Sequence, residues 1–157
     1  MILLTLDPSS TVIGYCISTG PGRLLDAGKI KSSKSDAYAR LSIMMPDLIK
    51  LIEQHKPDAA LVETPAPQQG QRKATSGQAI YGVAVGMVLN ELQRRGIAVH
   101  RTRADEWTNR VPKLSRQRWI AQRYRGHGYA IKDDKGGDVS DAIGLADWWW
   151  ARQGVMK

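Results

Sequence analysis

Four carboxylates stand at three places where a folded chain would leave them at the rim of its core. Asp7 closes the apolar run Met1-Ile2-Leu3-Leu4-Thr5-Leu6, and Glu63 closes Ala59-Ala60-Leu61-Val62. Asp138 and Asp141 stand three apart in Gly136-Gly137-Asp138-Val139-Ser140-Asp141-Ala142-Ile143, on one face of the first turn of a helix. Carboxylates drawn together repel one another and retain protons unless a hard divalent cation offsets their charge. Mg²⁺ or Mn²⁺ suits such an oxygen donor set. Two such ions about 3.5–4 Å apart clamp the attacking and leaving oxygens of an in-line phosphodiester displacement. These residue types therefore point to metal-assisted hydrolysis. Each acid alone has a plainer role, in a turn, a cap or a helix dipole. The repeated placement of an acid at the tip of an apolar strand is what favours one shared site.

The elements that must position these acids are legible in outline. Residues 1–6 are too continuously apolar to have a wet face and read as a central strand covered on both sides. Pro8-Ser9-Ser10 is turn chemistry, and Thr11 to Thr19 resumes as a strand, making a hairpin with Asp7 at its mouth. Arg23 to Ile30 reads as a third strand. Ser35 or Asp36 can cap a helix running to about His55, with Leu41, Met44, Leu48, Leu51 and Ile52 on one stripe and Pro46 predicting a kink or break. A strand–helix–strand order makes the Glu63 strand a parallel neighbour of the first. Ser76 to Arg95 is the most apolar helix, and Gly77, Gly82 and Gly86 predict a close approach of another backbone. Ile97 to His100 is the next parallel strand, followed by a short helix capped by Thr102 or Asp105 and a basic helix starting at Ser115 with Trp119, Ile120 and Tyr124 inward. Asp133 and Asp134 lie in a glycine-flanked loop, whereas a helix turn fixes the separation of Asp138 and Asp141, so the latter pair is preferred as ligands. Trp150, last of three consecutive tryptophans, is expected to be partly exposed.

Composition bounds the rest. The 157 residues, 42% hydrophobic, fit a single domain over 1–157. The net charge of +8 points to a polyanionic partner. Residues 68–126 hold 12 of the 23 Lys/Arg and only Glu91, Asp105 and Glu106 among the acids, so the basic excess is concentrated there. Within it, Arg72 and Lys73 end the polar loop Thr64 to Thr75, one residue past Glu63, where they can follow a phosphate backbone. Lys113, Arg116, Arg118 and Arg123 on the basic helix can bind phosphates or form a solvated face. Cys16 excludes an internal disulfide and reads as core packing, and His100 reads as structural. With no signal peptide before the first strand and no apolar run of about 18 residues, a soluble cytoplasmic protein with no membrane contact is expected.

Together, Leu6-Asp7-Pro8-Ser9-Ser10-Thr11-Val12-Ile13-Gly14-Tyr15, the strand-end Glu63, Gly77-Gln78-Ala79-Ile80-Tyr81-Gly82-Val83-Ala84-Val85 and Asp138-Val139-Ser140-Asp141-Ala142 resemble the RuvC family of Holliday-junction resolvases. Order and spacing agree along nearly the whole chain. The resemblance implies an α/β RNase H-like fold, a five-stranded mixed β-sheet flanked by α-helices. It implies a homodimer formed through the helix at residues 76–95, in a bacterial cell or, for a phage-encoded member, an infected host cell. It implies that Asp7, Glu63, Asp138 and Asp141 are both catalytic and metal-ligating, with two Mg²⁺ ions per site for which Mn²⁺ substitutes. The implied activity is a crossover junction endodeoxyribonuclease that resolves four-way DNA junctions by paired nicks. Lys113 stands in a place comparable to a family lysine that supports binding and cleavage, where a cation can stabilise the pentacovalent transition state.

The chain departs from the family in two places. Its loop after Glu63 lacks the aromatic that wedges into the junction, and Ser9 stands where the family usually has Gly. Three other readings therefore stand beside the leading one: a broader branched-DNA debranching nuclease, an RNA-processing nuclease of the same fold, and a non-catalytic junction-binding module. Retention of four acids weighs against the last, because unneeded carboxylates on a DNA-facing surface weaken phosphate binding.

Overall fold

The computed structural model describes residues 1–65, 76–127 and 134–154. Strands β1 (Leu3–Pro8), β2 (Val12–Gly20) and β3 (Arg23–Lys31) form an antiparallel meander. Helix α1 (Ala37–His55) then crosses to β4 (Ala59–Glu63), which pairs parallel with β1, and α2 (Ser76–Arg94) leads to β5 (Ala98–Thr102), parallel to β4. The sheet order is β3-β2-β1-β4-β5, the five-stranded mixed sheet expected from the sequence. Short α3 (Ala104–Trp107), α4 (Lys113–Arg123) and α5 (Asp138–Arg152) complete the chain.

Two-residue periodicity along the strands sorts the core into layers. On one face Leu4, Leu6, Ala60 and Val62 meet Met44 and Leu48 of α1 and Ala84, Val88 and Leu92 of α2. On the other, Leu3, Ala59 and Leu61 meet Leu145 and Trp150 of α5, and Cys16 packs with Ile120, Tyr124 and Ala142. Thr5, fully buried on that second face, donates its hydroxyl to the Ala142 carbonyl at 2.6 Å and ties β1 to α5. Alternation then places Asp7 and Glu63 beyond Thr5 and Leu61, on the α5 face.

Several local expectations need correction. Asp36 is the α1 cap, accepting from the Ala39 N–H at 2.8 Å, but α1 runs through Pro46 without a break. The basic helix begins at Lys113 after Pro112, and Trp119 is 50% exposed instead of inward; Ile120 and Tyr124 alone carry the inward face. The α3 N-cap is Arg103, closed by Glu106, which accepts from the Arg103 N–H at 2.9 Å and the Thr102 hydroxyl at 3.0 Å. Trp150 is the buried member of its triplet, donating from Nε1 to Ser18 Oγ at 3.0 Å. Among the described residues, the close backbone approach expected at Gly82 and Gly86 is not made, since a Cβ at either position would meet none of them within 4 Å. His100 packs its ring 4.4 Å from that of Trp149. Among the described residues, no helix is long and apolar enough to cross a membrane.

Candidate active site

The ends of β1 and β4 lie side by side because the parallel register pairs Leu6 with Val62, one residue short of Asp7 and Glu63. The N-terminus of α5 is brought over them by close packing on β2. At Gly14 an added Cβ would lie 2.1 Å from the Asp138 carbonyl oxygen, so only glycine lets the first turn of α5 sit there. Asp134 fixes that turn: it accepts from the N–H of Val139 and Ser140 at 3.2 and 2.8 Å and from the Ser140 hydroxyl at 2.9 Å. Its side chain is buried, and Lys29 lies 3.5 Å from it. Asp134 is thus engaged with the first turn of α5, whose N-cap is Gly137.

The result is an open pocket of about 460 Å³ lined by Asp7, Glu63, Asp138 and Asp141, together with Lys113, Arg116, Tyr81 and Trp107. Their electrostatics record the crowding. Asp7 is pushed well above the ordinary aspartate range, first by burial and then by the charges of Glu63, Asp141 and Asp138, with Lys113 opposing. Burial raises Glu63 too, against a hydrogen bond from Trp107 Nε1–H to its Oε2 at 2.5 Å. Asp138 is raised by burial, with Lys113 partly offsetting it. For Lys113, burial works against the charged form, but the hydrogen bond and charge of Asp141 outweigh it and the ammonium is held above its ordinary value. Tyr81 is pushed upward by burial and by Glu63 and Asp7.

Asp141 is the acid already engaged. Lys113 Nζ lies 3.0 Å from one oxygen, and Arg116 Nη2 donates to the other at 3.0 Å. Arg116 is further held by Nη1 donating to the Val111 carbonyl at 2.6 Å and by the Trp107 ring, 4.9 Å away. The outward, phosphate-facing Arg116 expected from the sequence is thus turned into the acidic pocket. Among the described residues no three His, Cys, Asp or Glu side chains are gathered closely enough to hold an ion as they stand. The donor set nevertheless fits a hard divalent cation: four oxygen-bearing acids around one cavity, three held protonation-prone by desolvation, are what such a charge would relieve.

The structure therefore brings together six of the residues singled out in the sequence, Asp7, Glu63, Lys113, Arg116, Asp138 and Asp141. Arg118 and Arg123 lie exposed on α4, outside the pocket. Arg72 and Lys73 lie outside the described residues. Sequence reasoning missed Tyr81 and Trp107. Tyr81 falls within the glycine-bearing motif Gly77 to Val85, which offered a signal, while nothing local to Trp107 distinguishes it from a core indole.

No protein-family model matches the chain. Crossover junction endodeoxyribonuclease RuvC of Halothermothrix orenii is 33% identical over 67 residues, which span 40% of this chain and 41% of that relative. Among solved structures, Thermus thermophilus RuvC in complex with Holliday junction substrate superposes with a TM-score of 0.71 at 21% identity, covering 99% of this chain and 98% of that one. The yeast mitochondrial Holliday junction resolvase gives a TM-score of 0.62 at 13% identity, covering 97% and 80%. The chain has the RNase H-like fold of the RuvC resolvases. The resemblance read from the sequence is borne out at the level of that fold and of the matched relative.

Proposed function

We propose that the chain is a RuvC-type, metal-dependent endonuclease that resolves four-way DNA junctions by paired nicks. The observation that carries the reading is the convergence of Asp7, Glu63, Asp138 and Asp141 on one pocket of this fold, with Lys113 at its edge. Asp7, Glu63, Asp138 and Asp141 would hold Mg²⁺, with Mn²⁺ as a substitute and two ions per site. Bound there, such ions would favour the ionised acids and supply charge for activating water and for offsetting the attacked phosphate.

The chain's own residues supply the rest. β1 and β4 fix Asp7 and Glu63 on rigid strand ends, and Trp107 orients Glu63 by its indole N–H. Lys113, nearly half exposed and charged, is placed to meet the phosphate and stabilise the negative charge that builds on it in the transition state. Arg118 and Arg123 provide exposed positive charge along α4, and Arg72 and Lys73 would extend it along the loop after Glu63.

Two nicks require two sites, and the open face of α2 offers a two-fold contact. Gly82, Val83 and Gly86 are exposed there, and the glycines leave room for another backbone. Such a homodimer would act on branched DNA in the cytoplasm of a bacterial or infected host cell.

The test is cleavage of an end-labelled four-way junction with Mg²⁺ or Mn²⁺, beside linear duplex, a fork and structured RNA. Paired symmetric nicks confined to the junction support the reading. Equal cutting of the fork makes the chain a debranching nuclease. Cutting of RNA alone moves it to RNA processing, and binding without product makes it a junction-binding module.

A further inference from the structure

Beside the carboxylate pocket lies a second cavity of about 500 Å³, mostly apolar, to which the reading above gives no task. Trp107, Thr108 and Arg116 line both, so the two are adjacent. Three indoles wall the second cavity, those of Trp107, Trp119 and Trp148, and each has a guanidinium over its ring: Arg116 at 4.9 Å, Arg123 at 5.2 Å and Arg152 at 4.8 Å. Trp119 is 50% exposed although it borders a cavity that could have buried it. Asp147, nine-tenths buried, also lines this space; its Oδ1 accepts from the Tyr124 hydroxyl at 2.5 Å, while Oδ2 lies 3.6 Å from Arg123 Nε.

We propose that this cavity receives an unstacked nucleobase of the DNA strand being cut, stacked on Trp119, with a flanking phosphate on the exposed Arg123. The inference rests on the reading of the adjacent pocket as a DNA-cleaving site. Its own support is chemical. A base has an apolar face for an indole whatever its identity, and an arginine beside the stack answers a neighbouring phosphate. The volume suits one nucleoside and is too small for a duplex. A four-way junction is the kind of DNA that supplies such a base, because pairs at a branch point are already weakened and little remains to be lost by unstacking one.

The experiment is a cycle between protein and DNA, run without metal so that nothing is cut. Junctions carrying one abasic residue, placed in turn at each nucleotide around the branch point, are titrated with the wild-type chain, Trp119→Ala and Trp119→Phe. Trp119→Ala should bind the intact junction about tenfold more weakly, with Trp119→Phe recovering most of the loss. At one abasic position, wild type and Trp119→Ala should bind alike. Losses of equal size on every abasic junction overturn the proposal, as does unchanged binding of the intact junction by Trp119→Ala. A change in sedimentation of Trp119→Ala without DNA would give the cavity to a second copy of the chain and overturn it as well. Failure of the underlying reading is distinct: a wild type that binds no junction removes both proposals, and one that binds without cutting when metal is supplied removes the nuclease reading whatever the outcome of the cycle.

Discussion

Arg116 Nη2 donates to Asp141 Oδ1 across 3.0 Å while Lys113 holds the other oxygen at the same distance, so both oxygens of an acid proposed to bind metal are already met by α4 cations. Side-chain exposure of 18% for Arg116 and 6% for Asp141 leaves this pair poorly screened by solvent. A divalent cation must therefore compete with two internal positive charges for Asp141. Lys113 is free to swing toward solvent. Arg116, fixed by Val111 and Trp107, is the stiffer competitor.

Arg116→Ala should bind Mn²⁺ about tenfold more tightly, a change of about 1.4 kcal/mol and well within the interaction of near charges at a partly buried site. Calorimetric titration of the folded variant reads this directly. An affinity equal to that of the wild type would mean that Arg116 does not compete for Asp141.

The raised acids make a second prediction, of stability against pH. Asp7, Glu63 and Asp138 titrate above their ordinary values in the folded chain, so between those values and the raised ones the native state binds more protons than the unfolded state. Stability must then fall as pH rises through that window. Asp147, raised chiefly by burial, acts in the same sense. Asp105 and Glu106 are lowered, by hydrogen bonds from Arg103, but they are solvent-exposed and contribute little in the opposite sense. The metal-free protein should therefore melt higher at about pH 5 than at about pH 7, and Asp7→Asn should flatten the slope. A melting temperature that climbs over this range would contradict the shared acidic pocket.

Gly14 supplies a test of how α5 is seated. Gly14→Ala forces a Cβ to within 2.1 Å of the Asp138 carbonyl, so the first turn of α5 must shift. The cost should be about 1–3 kcal/mol of stability, as for other overpacked cores, with loss of cleavage because Asp138 and Asp141 move together. Gly82→Ala, whose Cβ meets none of the described residues within 4 Å, should leave the stability of the single subunit unchanged or raise it by up to about 1 kcal/mol. Chemical denaturation of both variants compares them, and equal stability would remove the close-packing argument.

The parts legible from sequence are those written in one element at a time. Continuous apolar residues before Asp7 and before Glu63 marked buried strands with acids at their tips, and the three-residue spacing of Asp138 and Asp141 marked a helix turn. The convergence of these elements needed the fold. Gly14 did carry a signal, since a glycine inside a strand marks a close backbone approach, but its neighbour 124 residues away was not readable. Trp107 reaching Glu63 and Arg116 turning to Asp141 depend on how α3 and α4 dock, which short helices with few apolar residues leave undetermined. For the same reason Trp119 was read as core, whereas Ile120 and Tyr124 suffice to anchor α4 and the indole is left beside a cavity.

The central claim is that the pocket around Asp7 cuts DNA, and Asp7→Asn tests it most directly. The substitution keeps the shape of the side chain and removes the charge at the most strongly perturbed acid of the site. Junction cleavage with Mg²⁺ should fall by at least about 10²–10³-fold, while metal-free binding of the same junction stays as tight or becomes tighter, since one negative charge beside the phosphates is gone. Cleavage at the wild-type rate would contradict the account and place the chemistry elsewhere in the chain.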